Sequence, residues 1–234
     1  MDYLINKQWY YHQVDTGYHV NNDTIFLAGF INARHKDRIL DIGCGSGALM
    51  ILVHHMFRPF QIDGIEIDPV AFEYAKLNIS WNKMDALTTL IYGDINTYND
   101  PDGYDVIISN PPYYPCGGTR IDPSIYQGRY QTHLSFDQLI TSIHSLLRPK
   151  GTAYIVYPVH GLNQIMACIH AYGMGITRVR LYYPSEKKDA SIMALAIRHG
   201  QNQHCRIEKP WQKETLNAFC NSLKTMDNSN EEKR

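Results

Sequence analysis

The chain has no apolar run approaching the roughly 20 residues that a membrane helix needs. Its first residues, Met1 to Tyr11, hold no signal-peptide core. It also lacks a charge imbalance. Lysine and arginine number 22 against 23 acidic residues, for a net charge of −1, so it is no bulk polyanion binder, and a nucleic-acid partner would need a local basic patch. There is no CxxC pair. The five cysteines (Cys44, Cys116, Cys168, Cys205 and Cys220) are odd in number and scattered, which argues against a disulfide framework and against structural zinc. None of the eleven histidines forms an HxxxH or HExxH pattern with a carboxylate partner, so no metal is expected. No internal repeat is visible. The tail from Met226 to Arg234 has little to bury and is expected to be disordered. These absences together point to a cytoplasmic location, with no membrane partner.

What is present suits one globular α/β unit. Apolar residues make up 44% of 234 positions and charged ones 19%, enough for a normal core. Strand and helix signals alternate through the centre. Arg38 to Asp41 reads as a short strand ending in a glycine-rich turn, with an apolar helix from Ala48 to Phe57 after it. Strands follow at 61–67, 87–92, 104–109 and 152–157. The helices between them are expected at 69–81, with Asp68 as N-cap and Pro69 at its first position, and at 136–147, with Ser135 before it. Residues 162–172 form another helix, ended by Gly173. Strands at 176–183 and 190–198 flank a turn rich in Pro, Ser and Lys and form a hairpin. Ahead of the first strand, the Tyr-rich stretch 8–20 reads as a small hairpin, and Asn22 or Asp23 as the cap of a helix running to Asn32. Such alternation implies a mostly parallel, doubly wound sheet, and the final hairpin makes its last pair antiparallel. The expected layout is an N-terminal extension over 1–35, a catalytic domain over 36–200, and a C-terminal helix and tail over 201–234.

The strongest local signal is Asp41-Ile42-Gly43-Cys44-Gly45-Ser46-Gly47, directly after a strand and directly before a helix. Glycines let the chain turn sharply and let a ligand lie on the main chain. The helix that follows offers free N–H groups and a positive dipole end to a carboxylate. The spacing DxGxGxG is not the GxGxxG of dinucleotide binders, which disfavours NAD. Glu66 stands at the end of the second strand, where an acid accepts ribose hydroxyls, and Asp94 follows the third. After the fourth strand comes Asn110-Pro111-Pro112-Tyr113. The lone pair of an exocyclic amine on adenine is conjugated and weakly nucleophilic. Two acceptors aimed at its N–H groups, the Asn110 side-chain oxygen and the Pro111 carbonyl, would draw the nitrogen towards an attacking geometry. The prolines stiffen the loop and offer no competing N–H. Tyr113 would stack on the base.

In these motifs the chain resembles class I S-adenosylmethionine-dependent methyltransferases. That likeness implies a Rossmann-like fold with a seven-stranded sheet. It implies S-adenosylmethionine as cofactor, with Asp41 holding the methionyl amino group and Asp94 receiving the adenine amine. The cofactor set expected from it is Asp23, Asp41, Gly43, Gly45, Gly47, Glu66, Ile67, Asp94, Ile95 and Asn110. Asn-Pro-Pro-Tyr is shared by adenine-N6 methyltransferases, by glutamine methyltransferases of release factors and, in related form, by some guanine-N2 enzymes. The DNA enzymes usually need a separate recognition region, and the release-factor enzymes a helical domain ahead of the glycine motif. Little chain is left for the first, and only about 40 residues for the second. What remains resembles the bacterial tRNA adenine-N6 methyltransferases that modify the adenine beside the anticodon of valine tRNA. The likeness rests on Asn22 to Ala28, Leu40 to Gly47, Ile107 to Tyr114 and Gly128 to Thr132. That family carries Thr-Asp-Gly where this chain carries Asn22-Asp23-Thr24. The resemblance implies a tRNA substrate and a single-copy enzyme. Tyr114, Arg120, Arg129, Lys187 and Lys188 combine cations and aromatics suited to RNA. Lys36 and Arg38 are weaker candidates for the same contacts.

Overall fold

Val106-Ile107-Ile108 and Tyr154-Ile155-Val156 are continuous apolar runs, and a strand sends successive side chains to opposite faces. Such runs need cover on both faces of the sheet. The computed structural model describes residues 2–5, 9–12, 21–111, 134–201 and 204–226, and it shows that cover. Ile39, Val106, Ile108, Tyr154, Val156, Ala194 and Ala196 enter one buried cluster. Their neighbours Leu40, Ile107, Ile155, Met193, Leu195 and Ile197 enter a second.

The elements run β1 (Asp2–Tyr3), β2 (Tyr10–Tyr11), α1 (Asn22–Ala28), β3 (Arg38–Ile42), α2 (Ala48–Phe57), β4 (Gln61–Glu66), α3 (Pro69–Trp81), β5 (Leu90–Tyr92) and β6 (Tyr104–Ser109). They continue with α4 (Phe136–Leu146), β7 (Leu147–Pro158), α5 (Leu162–Ala171), β8 (Met174–Tyr183), β9 (Ile192–His199), β10 (Arg206–Ile207), β11 (Trp211–Gln212) and α6 (Lys213–Lys224). The main sheet has the order β10-β8-β9-β7-β6-β3-β4-β5, with β11 also on β8. Strands β3 to β7 are mutually parallel, and β9 runs against both its neighbours. The seven expected strands are therefore present in a mostly parallel sheet with an antiparallel terminal hairpin. Two further strands of two residues each lie parallel to β8 and bring the sheet to nine strands among the described residues.

Local chemistry explains most boundaries. Asp68 Oδ1 accepts the Val70 and Ala71 N–H groups, both at 2.8 Å, and Pro69 opens α3. Ser135 and Gln138 form a reciprocal capping box at the head of α4. Helix α1 differs from expectation. Its cap is Asn21 rather than Asn22 or Asp23, and it ends at Ala28, not Asn32. It stops under a side chain from the far end of the sequence: a Cβ on Gly29 would lie 2.2 Å from the Trp211 indole. Trp211 also packs on Phe26 and Phe219, so the first and last helices share a core. Ala194 and Ala196 are small where α1 lies against β9. The N-terminal strand pair is β1 with β2, and residues 13–20 of the expected hairpin lie outside the described set, as does the tail from 227.

Candidate active site

The carboxyl ends of β3, β4, β5 and β6 meet at one edge of the sheet. Register fixes this: Asp41 pairs with Gly64 and with Ile108, and Glu66 with Tyr92. Asp41, Glu66, Asp94 and Asn110 thus leave successive strands, each within two residues of the level of the one on the adjacent strand. Ligands bind at this edge in open α/β sheets. Ser109, buried on β6, donates its hydroxyl to the Ile42 carbonyl at 2.8 Å and ties the Asn110 strand to the Asp41 strand.

The glycine turn has the shape that a small ligand needs. Gly43, Gly45 and Gly47 have φ of 70°, 55° and 84°, and among the described residues a Cβ at Gly43 or Gly45 would meet nothing within 4 Å. Open space therefore lies over the main chain. The Gly43 and Cys44 N–H groups bend back to the Ile65 carbonyl at 2.9 and 3.1 Å. Helix α2 starts without a side-chain cap. Below the turn, a Cβ on Gly64 would lie 2.6 Å from Met50 Sδ and 2.9 Å from Cys44 Sγ, so β4 passes with no room for a side chain.

Three groups in the turn are shaped by burial. Asp41 is 1% exposed, and among the described residues its Oδ2 has no hydrogen-bond partner. Burial, reinforced by Glu66, holds its carboxyl well above the usual range. Burial likewise pushes the Cys44 thiol up. Glu66 accepts three backbone N–H groups: Gly45 on Oε2 at 2.7 Å, and Ile67 and Asp68 on Oε1 at 2.9 and 2.8 Å. Burial raises its carboxyl, and those three donors oppose the rise. A carboxylate offers about four lone-pair sites, so about one remains.

Asp94 caps a single 3-10 turn over Ile95–Thr97, its Oδ1 accepting Asn96 N at 2.9 Å and Asn96 Nδ2 at 2.8 Å. Ile67 directly follows Glu66 at the end of β4, and Ile95 is buried beside Asp94 in the second cluster. Asn110 donates Nδ2 to Thr24 Oγ1 at 3.0 Å, across 86 residues of sequence. Pro111 is buried next to it. Asp23 lies in the first turn of α1, and its charge helps raise the Tyr182 phenol above its ordinary value, after burial. Pro112, Tyr113, Tyr114, Arg120 and Arg129 lie outside the described residues. Lys187 and Lys188 are exposed on the β8–β9 turn. Tyr182 pairs with Ile192, which pairs with Pro158, so this turn reaches the same edge as Asn110. Arg38 is elsewhere. It opens β3 at the opposite edge, bound to Asp100 at 2.8 Å and Asp63 at 3.2 Å and stacked on Tyr104.

Sequence reasoning missed Thr24, Ser109 and Gly64, whose partners are distant in the chain. It also missed Asn78. That buried side chain accepts the His12 N–H at 2.8 Å and donates to the Ser46 carbonyl at 2.9 Å, fastening the N-terminal strap to the glycine turn. Tyr11, on the same strap, has its phenol pushed up to about 12 by burial.

The residues present fit S-adenosylmethionine. An orphaned buried carboxylate oxygen suits an ammonium, open main chain at Gly43 and Gly45 admits a ligand, and the uncapped α2 start suits a carboxylate. Among the described residues, no group of three or more His, Cys, Asp or Glu is placed to hold a metal ion, and no helix is long and apolar enough to cross a membrane.

Comparison with known proteins gives the family and the fold. The profile of the methyltransferase small domain matches residues 12–167. A tRNA1(Val) (adenine(37)-N6)-methyltransferase of Tolumonas auensis is 35% identical over 214 residues, spanning 91% of this chain and 90% of the relative. The protein of the same name from Shewanella frigidimarina is 30% identical, over 82% of this chain and 80% of the relative. Among solved structures, a methyltransferase from Pyrococcus furiosus superposes with a TM-score of 0.60 at 21% identity, over 81% of this chain and 88% of that one. A chain described as a predicted O-methyltransferase from Agrobacterium tumefaciens gives 0.65 at 17% identity, over 85% and 96%. These structural likenesses speak for the fold, and family and fold together imply use of S-adenosylmethionine. The chain belongs to the methyltransferase small-domain family, and the two relatives named above are tRNA1(Val) (adenine(37)-N6)-methyltransferases.

Proposed function

We propose that the chain methylates the exocyclic N6 of an adenine in tRNA, the base beside the anticodon of valine tRNA, as the names of its relatives describe for them. The observation that carries this reading is the convergence, at one sheet edge, of an open glycine turn, two buried acids and the Asn110 amide.

When bound, S-adenosylmethionine supplies an electrophilic methyl group on a good leaving group. The chain's own residues then have binding and positioning to do. Asp41 Oδ2 would hold the methionyl ammonium, and the start of α2 the carboxylate. Glu66 would accept from the ribose with its remaining lone pair while its other three hold the turn closed. Asp94 would meet the adenine amine of the cofactor, with Ile67 and Ile95 flanking the ring, and Asp23 would close the site from α1. Asn110 Oδ1 and the Pro111 carbonyl would each accept one N–H of the target amine, turning its lone pair out of conjugation. Tyr113, with Pro112 stiffening the loop, would fix the plane of the base. Lys187 and Lys188, with Tyr114, Arg120 and Arg129, would meet RNA phosphates and bases. On this reading the enzyme works in the cytoplasm as a single copy.

The test is incubation with unmodified tRNA and S-adenosylmethionine, followed by mass spectrometry of the nucleosides. The expected product is N6-methyladenosine. Methyl transfer to a release-factor peptide and none to any tRNA would replace this reading with glutamine methylation.

A further inference from the structure

An asparagine amide can present either its oxygen or its nitrogen to a reacting group, and the two are chemically opposite. In this chain the choice at Asn110 is forced by bonds that begin three residues upstream of Thr24. A backbone N–H only donates, so the Asn21 side-chain atom 3.0 Å from Thr24 N is an oxygen. That same Oδ1 lies 3.2 Å from Thr24 Oγ1. The hydroxyl proton is therefore directed to Asn21. The Thr24 oxygen is left to accept, and the Asn110 atom 3.0 Å away must be Nδ2. The Asn110 oxygen is then on the far side of the amide from α1.

Thr24 holds its place firmly. It is 7% exposed, so water competes little for its hydroxyl. The far end of α1 is pinned to β8: Arg180 donates to the Gly29 carbonyl at 2.8 Å and Arg178 to the Phe30 carbonyl at 3.2 Å, and both guanidinium groups pair with Glu208.

We propose that Thr24 is a positioning residue for methyl transfer, its hydroxyl fixing the Asn110 amide with Nδ2 turned to α1 and Oδ1 turned to the incoming amine. This rests on the reading that Asn110 accepts from that amine. Asn21 supplies the acceptor that commits the hydroxyl, so the capping residue of α1 belongs to the same device.

The test measures kcat and KM on unmodified tRNA, the Kd for S-adenosylhomocysteine by calorimetry, and the melting temperature. The variants are Thr24→Val, Thr24→Ser, Asn21→Asp, Asn21→Ala and Asn110→Ala. Thr24→Val, isosteric but unable to accept, is expected to lower kcat about tenfold, the scale of one lost hydrogen bond, with KM and Kd within about twofold. Thr24→Ser and Asn21→Asp keep the relay and should stay near wild type, whereas Asn21→Ala should lower kcat. Wild-type kcat in Thr24→Val, or a fall in Thr24→Ser as deep as in Thr24→Val, overturns the proposal. If Thr24→Val does not fold, the exposed Asn21 pair decides: equal kcat in Asn21→Asp and Asn21→Ala overturns it. Full turnover in Asn110→Ala would instead remove the reading of Asn110 itself. Loss there with no effect at Thr24 or Asn21 removes only the relay.

Discussion

Replacing Glu66 with glutamine separates two jobs that one carboxylate performs. Its Oε2 takes the Gly45 N–H at 2.7 Å, and its Oε1 takes Ile67 and Asp68. In Glu66→Gln one of those edges becomes an NH2 group. The better placement keeps oxygen on the Ile67 and Asp68 pair and turns NH2 towards Gly45, leaving that N–H facing another donor. A buried donor so stranded costs about 1–3 kcal/mol. Removing a half-desolvated charge returns part of this, since burial already disfavours the ionised form. We therefore expect a net loss of stability of about 1–2 kcal/mol. The ribose contact changes separately. With NH2 in place of Oε2, the spare acceptor becomes a neutral donor, and losing the charged hydrogen bond costs about 1–2 kcal/mol, so the Kd for S-adenosylhomocysteine should rise about tenfold. Urea unfolding gives the first quantity and calorimetry the second. An unchanged Kd in a correctly folded variant would refute the ribose assignment, and unchanged stability would refute the role of the carboxylate in closing the glycine turn.

The other predictions concern neighbouring groups. His55 is buried against Trp9, and burial, aided by His54, pushes its pKa down to about 3. The unfolded chain then binds a proton near pH 6.5 that the folded chain refuses, so stability is full above that pH and falls as pH drops towards 3. His55→Phe should remove about 2 kcal/mol of the loss between pH 6.5 and 4.5, read by denaturant unfolding at several pH values, and parallel curves for the two proteins would contradict it. Gly64→Ala should cost about 1–3 kcal/mol in melting experiments and weaken cofactor binding as well, because the new methyl presses on Cys44 of the turn. Asp41→Asn should weaken S-adenosylhomocysteine binding about tenfold and abolish the rise of affinity with pH that is expected of wild type, because holding an ammonium requires the carboxylate form. Asn110→Ala should leave that Kd unchanged while single-turnover methyl transfer falls at least about 100-fold.

Which features could be read from the chain alone follows from how local their causes are. Asp68 with Pro69, Ser135 with Gln138, and the glycine turn after β3 are signals within a few residues, and the elements they bound lie where expected. Helix α1 was misjudged at both ends. Adjacent Asn21 and Asn22 look alike in sequence, and Gly29, where the helix ends, packs against Trp211, far along the chain. β7 begins already at Leu147, ahead of Pro149, because Leu147 pairs with Tyr104 on the neighbouring strand. The two-residue β10 and β11 carry no alternation of their own and exist because β8 offers a free edge. The positions of Asp41, Glu66, Asp94 and Asn110 at one sheet edge were legible since each lies within two residues of a strand's end. The Thr24 contact with Asn110 and the Ser109 contact with Ile42 were not, because 86 and 67 residues separate the partners and nothing in the local pattern marks them. Arg38 looked like a surface cation in sequence, yet the acids that hold it come from two other segments.

The place of the cofactor at the Gly43–Gly47 turn is the central claim about this site. The most direct measurement is a crystal structure of the protein with S-adenosylhomocysteine. It should show the ligand's ammonium on Asp41, its ribose on Glu66 and its sulfur facing Asn110 across a gap wide enough for a flat base. A ligand bound away from the Gly43–Gly47 turn, or an Asn110 side chain walled off from the sulfur, would contradict it.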